Sequence, residues 1–130
     1  MVLGRALRTE NDLRLAIREG FPQSVVEEVM RSAGLTLREL ATTLDLSPRS
    51  LQRRRQQGRL ARYESDRLYR LAHIIALAKR YIGGEKTAGR WLKRPNRALG
   101  GNVPLSLIDT ELGARGVENV LGRIAYGGVS

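Results

Sequence analysis

The sequence predicts an all-α protein. A helix-turn-helix bundle should occupy residues 1–62, a long connecting helix 63–84, and a small helical domain 85–130. Three observations predict this. Apolar residues recur at i, i+3, i+4 and i+7 in successive windows, the spacing of one helix face. No window alternates apolar with polar residues as a half-buried strand does. Residues that start helices (Ser, Thr, Pro) and stop them (Gly) punctuate the windows.

The elements follow in order. Residues 11–19, NDLRLAIRE, read as a short helix ended by Gly20, and Pro22 opens the next. Val25, Val26, Val29, Met30 and Ala33 form its apolar stripe, and Gly34 ends it in a left-handed turn. Thr36 and Glu39 have the spacing of a capping box. Leu37, Leu40, Ala41 and Leu44 then make one buried face, with Ala41 small enough for a close crossing. Asp45 and Leu46 form a turn. Ser47 caps a helix that has Pro48 at its first position, runs to about Gln57 and stops at Gly58. Leu46 and Leu51 face the core.

Two short helices joined by a tight turn, the second rich in arginine, have the shape that reads a DNA major groove. Arg49, Ser50 and Arg53 point outward and are the candidates for base edges, with Gln52 a further one. Arginine can bond guanine bidentately, and glutamine can bond adenine. Thr36, Arg38 and Ser47 are candidates for phosphate contacts. A helical hairpin with a solvated basic face is the alternative. Asp45 stands where glycine often occupies the turn, and aspartate tolerates that conformation. Arg54 falls where an apolar residue is due, so its stem should cover the core edge while its guanidinium reaches outward. The run Arg53-Arg54-Arg55 is therefore not three equivalent DNA contacts.

The longest periodic run is Glu64 to Ile82, spanning about 28 Å as a helix. Leu68, Leu71, Ala72, Ile75 and Ala78 hold one face, widened by Ile74, Leu77 and Ile82; Gly83-Gly84 ends it. Glu85 to Leu92 forms a shorter helix with Ala88, Trp91 and Leu92 inward. Trp91 is a core or interface anchor. Lys93 to Val103 is a fixed loop containing Pro95, Asn96, Gly100 and Gly101. Pro104 starts a short helix with Leu105, Leu107 and Ile108, interrupted by Gly113 or Gly116. Val117, Val120, Leu121 and Ile124 define the last helix, ended by Gly127-Gly128.

Composition narrows the function classes. The 130 residues carry a net charge of +10, which favours nucleic acid or another acidic partner. Residues 31–70 and 71–97 each carry +6, whereas 1–30 and 98–130 each carry −1. The near-neutral C-terminal third suits a protein partner better than DNA. No cysteine is present, so disulfides and thiolate metal sites are excluded. No segment has the apolar length of a membrane span, and the N-terminus lacks a signal core. A cytoplasmic protein with no membrane partner is the simple expectation.

Catalysis is not expected, and neither a cofactor nor a metal is implied. His73 is the single histidine, placed mid-helix as a surface or packing residue. Glu64 and Asp66, two residues apart on a helix, point in different directions and should favour the start of the long helix through its dipole. The Gly-Gly pairs lack the strand-to-helix setting of a phosphate-cradling loop.

The C-terminal half contains A-x-x-W-L-x-x-P-N-x-A-L-G-G-x-x-P-L-x-L-I-x-T-E-x-G from Ala88, then V-x-x-V-L-G-R-I-A-Y-G from Val117. These residues resemble the toxin-binding domain of Xre/MbcA/ParS-type antitoxins. The resemblance continues upstream through Arg53 to Ala72 and covers about 80 residues, with the WL-x-x-PN-x-ALGG-x-x-PL element its specific part. It implies an Xre-like helix-turn-helix and a RES-domain toxin as partner, one that consumes NAD or ADP-ribosylates a target. It implies an antitoxin that occludes the toxin's NAD pocket and represses its own operon, as a homodimer within a toxin–antitoxin hetero-oligomer bound to operator DNA.

On that basis residues from about Glu85 to Ser130 should bind toxin. Trp91, Asn96, Arg97, Leu99, Gly100, Gly101 and Pro104 on one side, and Arg123, Tyr126 and Gly127 on the other, are the candidate contacts. Arg123 or Arg97 would meet a catalytic carboxylate. A free-standing dimeric repressor is the alternative, and a nucleoid-type DNA binder without sequence preference is a third reading.

Overall fold

Helices occupy most of residues 9–127, the part of the chain that the computed structural model describes. The outer ends of the expected first and third segments, Gly128 among them, lie outside the described residues. Among the described residues eight α-helices follow one another: α1 Glu10–Glu19, α2 Gln23–Ala33, α3 Leu37–Thr43, α4 Pro48–Gln57, α5 Arg62–Ala78, α6 Glu85–Lys93, α7 Pro104–Leu107 and α8 Glu111–Ala125. Two isolated bridges are the only extended pairings among the described residues. The all-α expectation holds.

Local chemistry sets the helix ends. Thr9 Oγ1 accepts from the Asp12 amide and starts α1. In the capping box of α3, the Glu39 amide donates to Thr36 Oγ1 and the Thr36 amide to Glu39 Oε1. Ser47 caps α4, and Asp45 adopts the left-handed conformation at φ 58°. The turn after α1 is stitched to the turn after α4. Leu60 N donates to Phe21 O at 3.0 Å, and Gln23 N to Gly58 O at 3.0 Å. Gly20 has φ 93°, and a Cβ there would lie 2.1 Å from the Leu60 carbonyl oxygen. Phe21, the only phenylalanine, is buried in this seam, and its amide donates to Ser65 Oγ at 2.8 Å.

α5 is the axis of the molecule. It touches α1, α2 and α3 of the N-terminal half and α6 and α8 of the C-terminal half. One hydrophobic cluster runs from Phe21 and Val26 through Leu51, Leu68 and Ile75 to Leu92, Val117 and Leu121. The helix-turn-helix therefore shares its core with the C-terminal helices.

Three local expectations need correction. The long helix does not continue regularly to Ile82: after Ala78 the chain makes a π turn over Lys79–Gly83. Gly84 N donates to Lys79 O, and Gly83 and Gly84 both take positive φ, which lets the chain reverse into α6. Neither Gly113 nor Gly116 interrupts a helix. Thr110 Oγ1 accepts from the Gly113 amide, so α8 begins at Glu111 and contains both glycines. A Cβ on Gly113 would sit 2.0 Å from the Leu107 carbonyl oxygen, so the glycine permits close packing rather than ending a helix. The role of Glu64 is also more specific than dipole complementation. Its carboxylate accepts from the Ala61 amide and from Arg54, and it is 6% exposed.

Candidate functional site

Arg49, Gln52, Arg53 and Gln56 line one open cleft on the outer face of α4. Their spacing of i, i+3, i+4 and i+7 places them on a single face. Gln56 was not among the expected residues, although extending the same spacing from Arg49 reaches it. Arg49, Gln52 and Arg53 are exposed. Ser50 is half-buried and its hydroxyl accepts from Ser47 Oγ, so these two residues serve the helix start first. Thr36 is likewise engaged in its capping box. Arg38 is exposed on α3 and lines a separate cleft with Lys93 and Ser106.

The arginine run divides into three roles. Arg53 faces outward. Arg54 Nε donates to Glu64 at 2.9 Å. Arg55 forms an ion pair with Glu27 on α2 and donates to Gln52 Oε1 at 3.3 Å. Only the first remains available on the exposed face; the other two hold α4 against α5 and α2.

The C-terminal candidates form two groups. Asn96 organises the loop between α6 and α7. Its Oδ1 accepts from Ala98 N, its carbonyl oxygen from Leu99 N and Gly101 N, and its amide donates to Asn102 O. Asn102 closes the loop by donating from Nδ2 to Leu99 O, a partner that spacing alone did not indicate. Arg97, Gly100 and Gly101 are exposed on this pinned loop. Leu99 and Trp91 are half-buried and pack against the core. Pro104 needs correction as a surface candidate: it is buried at the first turn of α7, where its fixed φ starts the helix.

Arg123, Tyr126 and Gly127 are exposed at the far end of α8, with Tyr126 90% exposed. The loop lies near Gly116, from which an added Cβ would meet Leu99 Cδ2 at 4.0 Å. Ten residues of helix, about 15 Å, separate that point from Tyr126. A partner touching both groups must run along α8. At 100° per residue, Leu112, Asn119, Arg123 and Tyr126 fall on one stripe. Leu112 is 79% exposed and was missed. Its position off the Val117–Val120–Leu121 stripe was the available signal.

His73 lies 4.0 Å from Glu118 and stacks on Tyr69. No group of three or more His, Cys, Asp or Glu residues is arranged to hold a metal ion among the described residues. No described helix is long and apolar enough to cross a membrane. Glu39 has a perturbed carboxyl. Burial raises its pKa, but the Thr36 amide and the Lys93 ammonium outweigh burial and hold it below its ordinary value.

Comparison with known proteins covers both halves. Residues 12–73 match the model of the antitoxin Xre-like helix-turn-helix domain. Residues 77–127 match the antitoxin Xre/MbcA/ParS C-terminal toxin-binding domain. The two spans meet within α5. An "Antitoxin Xre" of Photorhabdus laumondii is 33% identical over 120 residues, covering 91% of this chain and 81% of that protein. One of Pseudomonas putida is 32% identical over 122 residues, covering 93% and 76%. A chain in the crystal structure of the M. tuberculosis MbcT–MbcA toxin–antitoxin complex superposes with a TM-score of 0.65 at 26% identity, covering 83% of this chain and 96% of that one. Exposed basic and near-neutral faces on one shared core, with both halves matched, place the chain: it belongs to the Xre/MbcA/ParS family of antitoxins, the antitoxin members of toxin–antitoxin systems.

Proposed function

We propose that the chain neutralises a RES-domain toxin, one that consumes NAD or ADP-ribosylates a target, by covering the toxin's active site. The observation that carries this reading is the end of α8. Tyr126 is 90% exposed beside Arg123, within the span that matches a toxin-binding domain. Aromatic and arginine side chains are the usual anchors of protein interfaces. Arg123 meets a carboxylate of the toxin while Tyr126 packs on the rim of its cleft. The loop at Arg97, Gly100 and Gly101 makes the second contact, along α8. The related MbcT–MbcA pair was solved as a toxin–antitoxin complex, which supports a direct protein contact.

The second part of the proposal concerns DNA. The chain represses its own operon as a homodimer, with α4 in the major groove and Arg49, Gln52, Arg53 and Gln56 toward the bases. Growth rescue tests the first part. Cells making the toxin should recover with the full chain and fail to recover with Tyr126→Asp plus Arg123→Glu at equal antitoxin level. Full rescue by that variant would reject the α8 contact.

A further inference from the structure

We infer that the cleft between α2 and α6 is a second DNA-phosphate surface, flanking the helix-turn-helix; this rests on the DNA reading above. The cleft measures about 530 Å³, and Arg31, Lys86, Arg90 and Lys93 line it against one acid, Glu85. Arg31, Lys86 and Arg90 are exposed and form no ion pair among the described residues. Glu85 stands in the first turn of α6, where the helix dipole favours it.

The walls of the cleft are held rigidly to the helix-turn-helix. Gly89 on α6 lies so close to α2 that a Cβ would sit 2.9 Å from the Ala33 carbonyl oxygen. Lys93 Nζ donates to Gly34 O at 2.6 Å and pairs with Glu39 at 3.2 Å. Lys93 thereby clamps α6 to the N-terminus of α3. In helix-turn-helix complexes the first helix of the motif crosses the DNA backbone. The cations of α2 and α6 thus flank the end of the helix that crosses it. Lys93 also lines the neighbouring cleft with Arg38, so the positive surface continues onto α3. Contacts of this kind position a protein on DNA without reading sequence. They account for part of the +6 charge in residues 71–97, which the base-reading helix does not use.

Salt titration of DNA binding tests this. The full chain is titrated onto a labelled duplex of its own promoter and onto an unrelated duplex, between about 50 and 200 mM salt. Lys86→Ala with Arg90→Ala should reduce the log K against log salt slope by about 2 for each bound protomer, about 4 for the homodimer, since each phosphate no longer neutralised removes about 0.9. Affinity for both duplexes should fall by the same factor, leaving preference unchanged. Arg31→Ala, on the opposite wall, should reduce the slope by about 1 for each bound protomer, about 2 for the homodimer. Thermal melting confirms that each variant is folded, and Arg31→Ala decides if the double variant is not. An unchanged slope in a folded variant, or a lost preference between duplexes, overturns the proposal. Lost toxin neutralisation with an unchanged slope assigns the cleft to the toxin and also overturns it. Failure of the wild-type chain to bind either duplex removes the DNA reading itself, and this proposal with it.

Discussion

Arg54 Nε lies 2.9 Å from the Glu64 carboxylate, joining the last turn of α4 to the first turn of α5. The same carboxylate accepts from the Ala61 amide at 2.8 Å. One buried acid therefore caps the central helix and sets where α4 sits. Glu64→Ala should destabilise the fold by about 2–3 kcal/mol in urea unfolding, because it leaves the Ala61 amide and Arg54 without their acceptor. Glu64→Gln, which keeps an acceptor, should cost about half as much. Equal, negligible costs would show that the pair only decorates the surface.

Most of the helix-turn-helix was legible because its signals are local. The Thr36–Glu39 box, the Ser47-Pro48 start and the Asp45 turn depend on neighbours within four residues. Contacts between distant segments were not legible. Nothing near Arg54 names Glu64, and nothing near Gly89 or Gly113 names the carbonyls of Ala33 and Leu107 that exclude a side chain. Gly113 reads as a stop when only the local chain is considered. For the candidate site, outward faces followed from periodicity, but Pro104 belongs to the core because α7 packs inward.

The glycines of α8 make a paired prediction. A Cβ on Gly113 would meet the Leu107 carbonyl oxygen at 2.0 Å, whereas one on Gly122 would meet nothing within 4 Å. Gly113→Ala should destabilise by about 1–3 kcal/mol through overpacking. Gly122→Ala should stabilise by about 0.5–1 kcal/mol through backbone entropy. Thermal melting of the two variants should move in opposite directions, and movement in the same direction would contradict the packing described for α8.

Glu39 predicts an acid-sensitive joint between α3 and α6. Its folded pKa is lowered despite burial, so its ionised form is favoured in the fold. The contribution should be complete above the ordinary glutamate value of about 4.3 and be lost as pH falls through the lower folded value. The stability difference between wild type and Glu39→Gln should therefore be larger at about pH 6 than at about pH 3. A difference that is constant across that range would show that Lys93 and Thr36 do not depend on the charge.

The division of the arginine run predicts a separation of DNA effects. Arg53→Ala, with or without Arg49→Ala, should reduce preference for the chain's own promoter, by about 1–3 kcal/mol for each bidentate arginine–guanine pair removed. Arg55→Ala should leave preference intact and lower stability instead, since Arg55 is paired with Glu27. Gel shifts on promoter and scrambled duplexes check this. Loss of preference in Arg55→Ala with none in Arg53→Ala would reverse the assigned faces.

Toxin recognition through the exposed end of α8 is the central claim. Its most direct test is the affinity of the full chain for the RES-domain toxin proposed as its partner, measured by titration calorimetry with the two proteins purified separately. The wild-type chain should form a stable complex. Tyr126→Asp with Arg123→Glu should weaken it by about 30-fold or more, as expected for interface anchors worth at least 2 kcal/mol, while melting as the wild type does. Unchanged affinity in that folded variant would place the toxin elsewhere on the chain and contradict the account.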